Sequence, residues 1–267
     1  MRLRCLASLL EHRSLWWRLT EREIRGRYRG SILGMGWTLI TPLAMLAVYT
    51  FVFSQVFVAR WGTLSSTGPW SFAVNLYAGL IVFNMFSECA NRAPGLVVSQ
   101  PNYVKKVIFP LEVLGSVCVG TALFHLLTSL VVLLLFTLVT QGGLHLSVLW
   151  LPLVWLPLLL LCLTVTWLLS ALGVYLRDIG QLVAIALNML MFLSPIFYPL
   201  TALPQRLQGL LLLNPLAAVI EQTRRVVITG DTPSLGYLLT GTLAGLLLTE
   251  WSLRAFNRAK RGFADVL

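Results

Sequence analysis

Residues 21–30, EREIRGRYRG, place Arg25, Arg27 and Arg29 on alternate positions of a short glycine-containing run. Guanidinium groups present planar forks that match phosphate oxygens, so this cluster suits a phosphate or diphosphate headgroup. Arg206, Arg224 and Arg225 offer the same chemistry further along the chain; lipid headgroups, or Glu221 one helical turn before the last two, would also satisfy them. Tyr49, Phe53 and Phe57 recur every four residues. Phe72, Phe83 and Phe86 fall within about 60° of one another on a helical wheel. Rings in such registers either pack helices and face lipid, or present stacking faces to sugar rings.

Other chemistries are missing from the sequence. It contains no GxxxxGK[ST] phosphate loop, and its only lysines, Lys105, Lys106 and Lys260, do not follow a glycine. There is no HExxH, no GxSxG and no carboxylate pair suited to acid–base work, so neither catalytic residues nor a metal site are expected. Cys5, Cys89, Cys118 and Cys162 lack the paired spacing of zinc or redox sites and read as apolar fillers. His125 stands alone in an apolar run and reads as a packing residue. Glu250, with Arg254 four positions on, reads as an ion pair near a span end.

The elements that position these residues follow from composition. Of the 267 residues, 57% are hydrophobic and 11% charged, with a net charge of +10. Soluble domains carry roughly a quarter charged residues. The reading is an all-α integral membrane protein, a single domain over 1–267. Charges flank apolar runs instead of forming a soluble basic face, which argues against nucleic acid as a partner. The N-terminal segment is broken by charges, so it reads as retained and not as a cleaved signal.

Six spans are expected, over about 35–58, 69–87, 113–139, 148–176, 179–200 and 235–253. The bundle thus occupies 35–253, after an N-terminal amphipathic interface helix within 1–34 and before a tail at 254–267. On a wheel, Leu3, Leu6, Leu9, Leu10, Trp17, Ile24 and Tyr28 oppose Arg4, Glu11, Arg18, Arg22, Arg25 and Arg29. That helix either lies on the membrane surface or packs on a partner. With six spans, 16 of the 20 Lys and Arg fall on the side of the termini, which makes that side cytoplasmic. Between spans five and six, LQGLLLLNPLAAVI is apolar but too short to cross, and suits re-entrant helices turned at Asn214-Pro215.

Several stretches are similar to a known family. REIRGRYRGSILGMGWTLITPL followed by VYTFVF, NYVKKVIFPLEVL at 102–114, YLRDIGQLV at 175–183, SPIFYPLTALP at 194–204, NPLAAVIEQTRR at 214–225 and the ending GFADVL resemble type-2 ABC exporter permeases that move polysaccharides. This is the O-antigen, capsule and teichoic acid group. Gly36 and Gly115 depart from the residues usual there.

The resemblance implies a homodimer in the cytoplasmic (inner) membrane, in contact with two copies of an ABC ATP-binding subunit. ATP and Mg2+ would belong to that subunit, and this chain would bind no cofactor. Asn102, Tyr103, Lys105 and Lys106, in the 88–112 loop, would couple to the ATPase; the plain alternative for that loop is a connection. Tyr49, Phe53, Phe57, Phe72, Phe83, Phe86, Phe197 and Tyr198 would line the channel. Arg25, Arg27 and Arg29 would admit the lipid diphosphate of a lipid-linked glycan, O-antigen foremost. The alternative within the family is an exporter of a small lipid or drug. An ion-driven secondary transporter would need acidic residues near midmembrane, which the spans lack apart from peripheral Glu250.

Overall fold

The structure, a computed structural model, describes residues 11–52, 70–105, 109–200, 204, 209 and 214–267. Every regular element among them is helical. Physics requires this of an apolar segment crossing lipid by itself, because only a helix satisfies its own backbone groups without water. Helix α1, Arg13–Tyr28, carries the arginine run, and α2, Trp37–Phe51, opens the first apolar stretch. Between them Gly30 and Gly34 adopt φ of +85° and +50°, a left-handed backbone that side chains resist. The chain turns there and enters α2 through the 3-10 turn Gly34–Gly36.

Helix α3 spans Trp70–Arg92 and is followed by two short helices, α4 at Gly95–Val98 and α5 at Pro101–Lys105. Next come α6 (Glu112–Gln141), α7 (Leu151–Val154), α8 (Leu156–Tyr175) and α9 (Ile179–Leu193). The chain ends with α10 (Pro215–Arg224), α11 (Leu235–Ala259) and α12 (Phe263–Val266). Among the described residues, four segments are long and apolar enough to cross a membrane: Gly34–Phe51, Phe72–Arg92, Glu112–Thr140 and Leu146–Tyr175. The expected fifth span is the shorter apolar α9, with 15 residues. The expected sixth, α11, has 25 residues, but its last turns from Glu250 to Arg258 are polar. The expected second span does not stop before Glu88; α3 continues to Arg92 because Glu88 finds partners. Residues 53–58 of the first expected span, and most of the 201–213 stretch, lie outside the described residues.

Helix α3 runs through the centre, packed by α2, α6, α8, α9 and α10. Helix α11 lies against α8. Lipid tails are as apolar as leucine, so close packing and interhelical hydrogen bonds hold such a pair together. Gly241 and Gly245 supply the close approach: a Cβ at Gly241 would meet Pro157 at 3.2 Å, and one at Gly245 would meet Leu160 at 3.0 Å. The Thr249 hydroxyl lies 3.1 Å from that of Thr164 on the same seam. Gly115 has a comparable reason. Trp167 occupies the space its side chain would fill, and the indole Nε1 donates to the Glu112 carbonyl at 2.9 Å.

Arg224 departs from the reading of it as a cation open to a phosphate or a lipid headgroup. It is 4% exposed and donates from Nε to the Asn75 carbonyl (3.0 Å), from Nη1 to Pro195 (2.6 Å) and from Nη2 to Ile196 (2.9 Å). Burial pulls its pKa down from 12.5 to about 10, which leaves it charged at neutral pH. Gly79 gives the guanidinium room, since a Cβ there would sit 3.0 Å from Nη2. Asn214 caps α10 by accepting from the Leu216 N–H, and its amide donates to Ser194 at 2.9 Å. The end of α9, the start of α10 and α3 are thus tied at one point. Arg225 faces Asp231 at 3.7 Å, and Arg206 lies outside the described residues. Cys89, Cys118 and Cys162, far apart in sequence, are free, fully buried thiols. Cys5 lies outside the described residues.

Candidate functional site at the interface helix

Helix α1 packs on α6 within the same chain. Its inward face is Leu15, Trp16, Leu19 and Thr20, set against Val113 and Val117, while Trp17 is largely exposed. The Trp16 Nε1 donates to the Ser116 carbonyl at 2.9 Å, and Gly120 leaves space for Trp16 and Thr20. This inward face differs from the apolar stripe of the wheel, which included Trp17. Leu3, Leu6, Leu9 and Leu10 lie outside the described residues.

The end of α1 carries a charged cluster onto α3 and α6. Arg27 Nη1 donates to Glu88 at 2.8 Å, and Glu88 Oε2 lies 2.8 Å from His125 Nδ1. Tyr28 meets His125 Nε2 at 3.1 Å. A proton on Nδ1 satisfies both histidine contacts: Nδ1–H donates to Glu88, and the Tyr28 hydroxyl donates to Nε2. Arg27 also sits 3.2 Å from the ring. Arg92, one turn beyond Glu88, pairs with Glu23 of α1 and lies 3.6 Å from Glu88. His125 is therefore part of a polar network and not a solitary packing residue.

Two concavities flank this cluster. An inner cavity of about 380 Å³ lies between α1, α2, α3 and α6, with Arg27, Glu88 and His125 in its wall. An outer groove of about 550 Å³ is lined by Arg18, Glu21, Arg22, Arg25, Gly26 and Arg29. The expected trio is therefore divided. Arg25 and Arg29 face the outer groove, Arg25 paired with Glu21 at 2.6 Å, whereas Arg27 turns inward.

The expected channel aromatics are likewise dispersed. Tyr49 is partly buried and lines the inner cavity. Phe72, Phe83 and Phe86 are buried in the bundle core. Phe197 stacks on Phe192 with centroids 5.8 Å apart, and the Tyr198 hydroxyl donates to the Phe192 carbonyl at 3.1 Å. Phe53 and Phe57 lie outside the described residues.

Three of the residues expected to couple, Asn102, Tyr103 and Lys105, lie on α5. Asn102 and Lys105 are exposed, and Lys106 lies outside the described residues. Tyr103 stacks on Phe109 with centroids 4.4 Å apart and receives a hydrogen bond from Arg22 of α1 at 3.3 Å.

Along its sequence the protein matches the ABC-2 type transporter family over residues 14–228. The chain belongs to that family. This ABC-2 transporter chain is 26% identical over 250 residues to an O-antigen export system permease protein RfbA of Klebsiella pneumoniae, covering 93% of each. It is 26% identical to the protein of the same name from Myxococcus xanthus, covering 98% of this chain and 99% of that one. Polysialic acid transport protein KpsM of Escherichia coli is 28% identical over 234 residues, or 85% of this chain and 87% of its own.

In the ABC-2 transporter chain, Glu88 and Asn84 of this cavity wall were not singled out in the sequence, and Tyr28 entered only as part of the apolar stripe. Asn84 is exposed on a helix whose spanning window is 83% buried. The available signal was a carboxylate and an amide four residues apart on one helical face, within an otherwise apolar helix.

Proposed function

We propose that this chain is the transmembrane subunit of an ATP-driven exporter of lipid-linked polysaccharide, O-antigen in the first instance. The observation that carries the reading is its near end-to-end alignment with permeases named for O-antigen export. The chain works as a homodimer of six-span subunits in the inner membrane, with both termini cytoplasmic, α9 and α11 as the fifth and sixth spans, and α10 within a re-entrant element. Two ABC subunits hold ATP and Mg2+ and dock on α4 and α5. The exposed Asn102, Lys105 and the neighbouring Lys106 receive them, and Tyr103 passes their movement to α1 through Arg22. The lipid diphosphate lies in the outer groove, where Arg18, Arg22, Arg25 and Arg29 outnumber the single carboxylate of Glu21. Among the described residues, Tyr49, Phe197 and Tyr198 are the expected aromatics left for the glycan path beside Phe53 and Phe57, because Phe72, Phe83 and Phe86 serve the core.

The test is ATP hydrolysis by the chain reconstituted with its ABC subunit in lipid vesicles. Lipid-linked polysaccharide stimulates turnover. Replacing Arg18, Arg25 and Arg29 together with glutamine raises the half-stimulating concentration about tenfold or more, as expected for charge-assisted contacts of roughly 1.5–3 kcal/mol. Stimulation by small lipids or drugs alone would refute the polysaccharide assignment.

A further inference from the structure

We propose that the inner cavity between α1, α2, α3 and α6 is a binding subsite for a single uncharged sugar residue. It rests on the polysaccharide-export reading and adds a place and a ligand class that the outer arginine groove does not supply.

Charge argues first. In the cavity wall Glu88 accepts from Arg27 and lies against His125 Nδ1, each at 2.8 Å, so the cation is already matched by a carboxylate. A phosphate would have to displace Glu88 from Arg27 and then face it. The remaining lining is neutral. Tyr28, Trp37, Tyr49 and Tyr77 supply rings, and Thr41, Asn84, Thr128 and Ser129 supply hydroxyls and an amide. A pyranose matches such a surface, with apolar C–H faces for the rings and hydroxyls for the polar groups.

Unmet hydrogen bonding argues second. Tyr77 is 3% exposed, and its hydroxyl lacks a hydrogen-bond partner among the described residues, although Ser129 lies beside it. Asn84 projects as an exposed amide from α3, the most buried of the four membrane-length segments among the described residues. Both sit in a segment apolar enough to cross a membrane, where an unsatisfied polar group costs several kcal/mol. A ligand rich in hydroxyls satisfies the exposed Asn84 amide directly, and the Tyr77 hydroxyl once the ring it belongs to turns toward the cavity it lines. The volume, about 380 Å³, falls at the small end of ligand pockets, roughly 300–1,000 Å³, and fits one ring, not a folded length of glycan.

The experiment uses the chain with its ABC subunit in lipid nanodiscs and two photoreactive diazirine probes of equal alkyl length. One is an alkyl β-glucoside and the other an alkyl phosphocholine, and the labelled peptides are mapped by mass spectrometry. The glucoside is expected to label peptides of α3 and α6 in preference to the phosphocholine. Asn84→Leu, an apolar change suited to a membrane helix, cuts that labelling about tenfold, the loss of roughly one well-placed hydrogen-bonding group. Tyr77→Phe, which removes only the hydroxyl, lowers it by a smaller factor. Equal labelling by both probes marks an ordinary lipid crevice and overturns the proposal, as does glucoside labelling unchanged in both variants. ATPase stimulation by lipid-linked polysaccharide is measured on the same preparations. Stimulation without glucoside labelling removes the subsite and leaves the exporter reading standing, whereas loss of both removes both.

Discussion

Three backbone carbonyls converge on Arg224, and the consequence of removing it follows from what they would lose. Arg224→Met strands acceptors in a site with little water, at about 1–3 kcal/mol. A lower thermal midpoint in detergent would register it, and Arg224→Lys, which reaches fewer acceptors, is expected to fall between. Gly79→Ala crowds the same guanidinium from the other side and should lower the midpoint too. A different residue-scale prediction concerns Arg27 and Glu88. They face each other across 61 residues of sequence at 2.8 Å, so a double-mutant cycle of Arg27→Gln and Glu88→Gln should return a coupling of about 0.5–3 kcal/mol. A coupling of zero would show that the pair does not hold α1 to α3.

Among the elements, α4 and α5 are set by contacts that tolerate little change. Gly173 of α8 lies directly beneath the Pro94 carbonyl, where an added Cβ would collide with the backbone. Since backbone cannot step aside as a side chain can, Gly173→Ala must shift the start of α4, at an overpacking cost of about 1–3 kcal/mol. The expected result is a pair that still assembles but whose ATPase loses its response to substrate, read as basal against stimulated hydrolysis. The tail holds the same region from the other side. The α12 helix lies against α5, Phe263 is buried near Tyr175 and Phe256, and Lys260 bridges to Glu112 at 3.0 Å. Helix α1 also touches α5 at Tyr103 through Arg22, and the inner cavity at Arg27, within five residues of its own length.

At the scale of the whole molecule, six-span topology is open to direct measurement because Cys89, Cys118 and Cys162 are buried and should stay silent to thiol reagents. In a Cys5→Ser background, Gly143→Cys is expected to react with an impermeant maleimide from outside intact cells. Ala264→Cys should react only after the membrane is opened. Both positions are exposed, and an added side chain at Gly143 meets nothing. The reverse pattern would invert the orientation drawn from the arginine distribution.

Composition and local spacing were enough to show an all-helical membrane chain, where most apolar runs lie, and the Glu250–Arg254 pair. Each depends on residues within a few turns of one another, or on the transfer of a run of side chains into lipid, and both are properties of a segment by itself. A helical wheel gives the angle of a side chain about its own axis but not which neighbour that angle meets. Arg224 thus read as open to a headgroup until α3 and the chain just past α9 closed around it, across 149 and 28 residues. Phe72, Phe83 and Phe86 share a face as expected, yet that face turns into the bundle. His125 gained a role only when Glu88, 37 residues earlier, and Tyr28, 97 residues earlier, arrived beside it. Placement of those groups is decided by how helices pack against each other in a medium without water, and that is information only the tertiary structure holds.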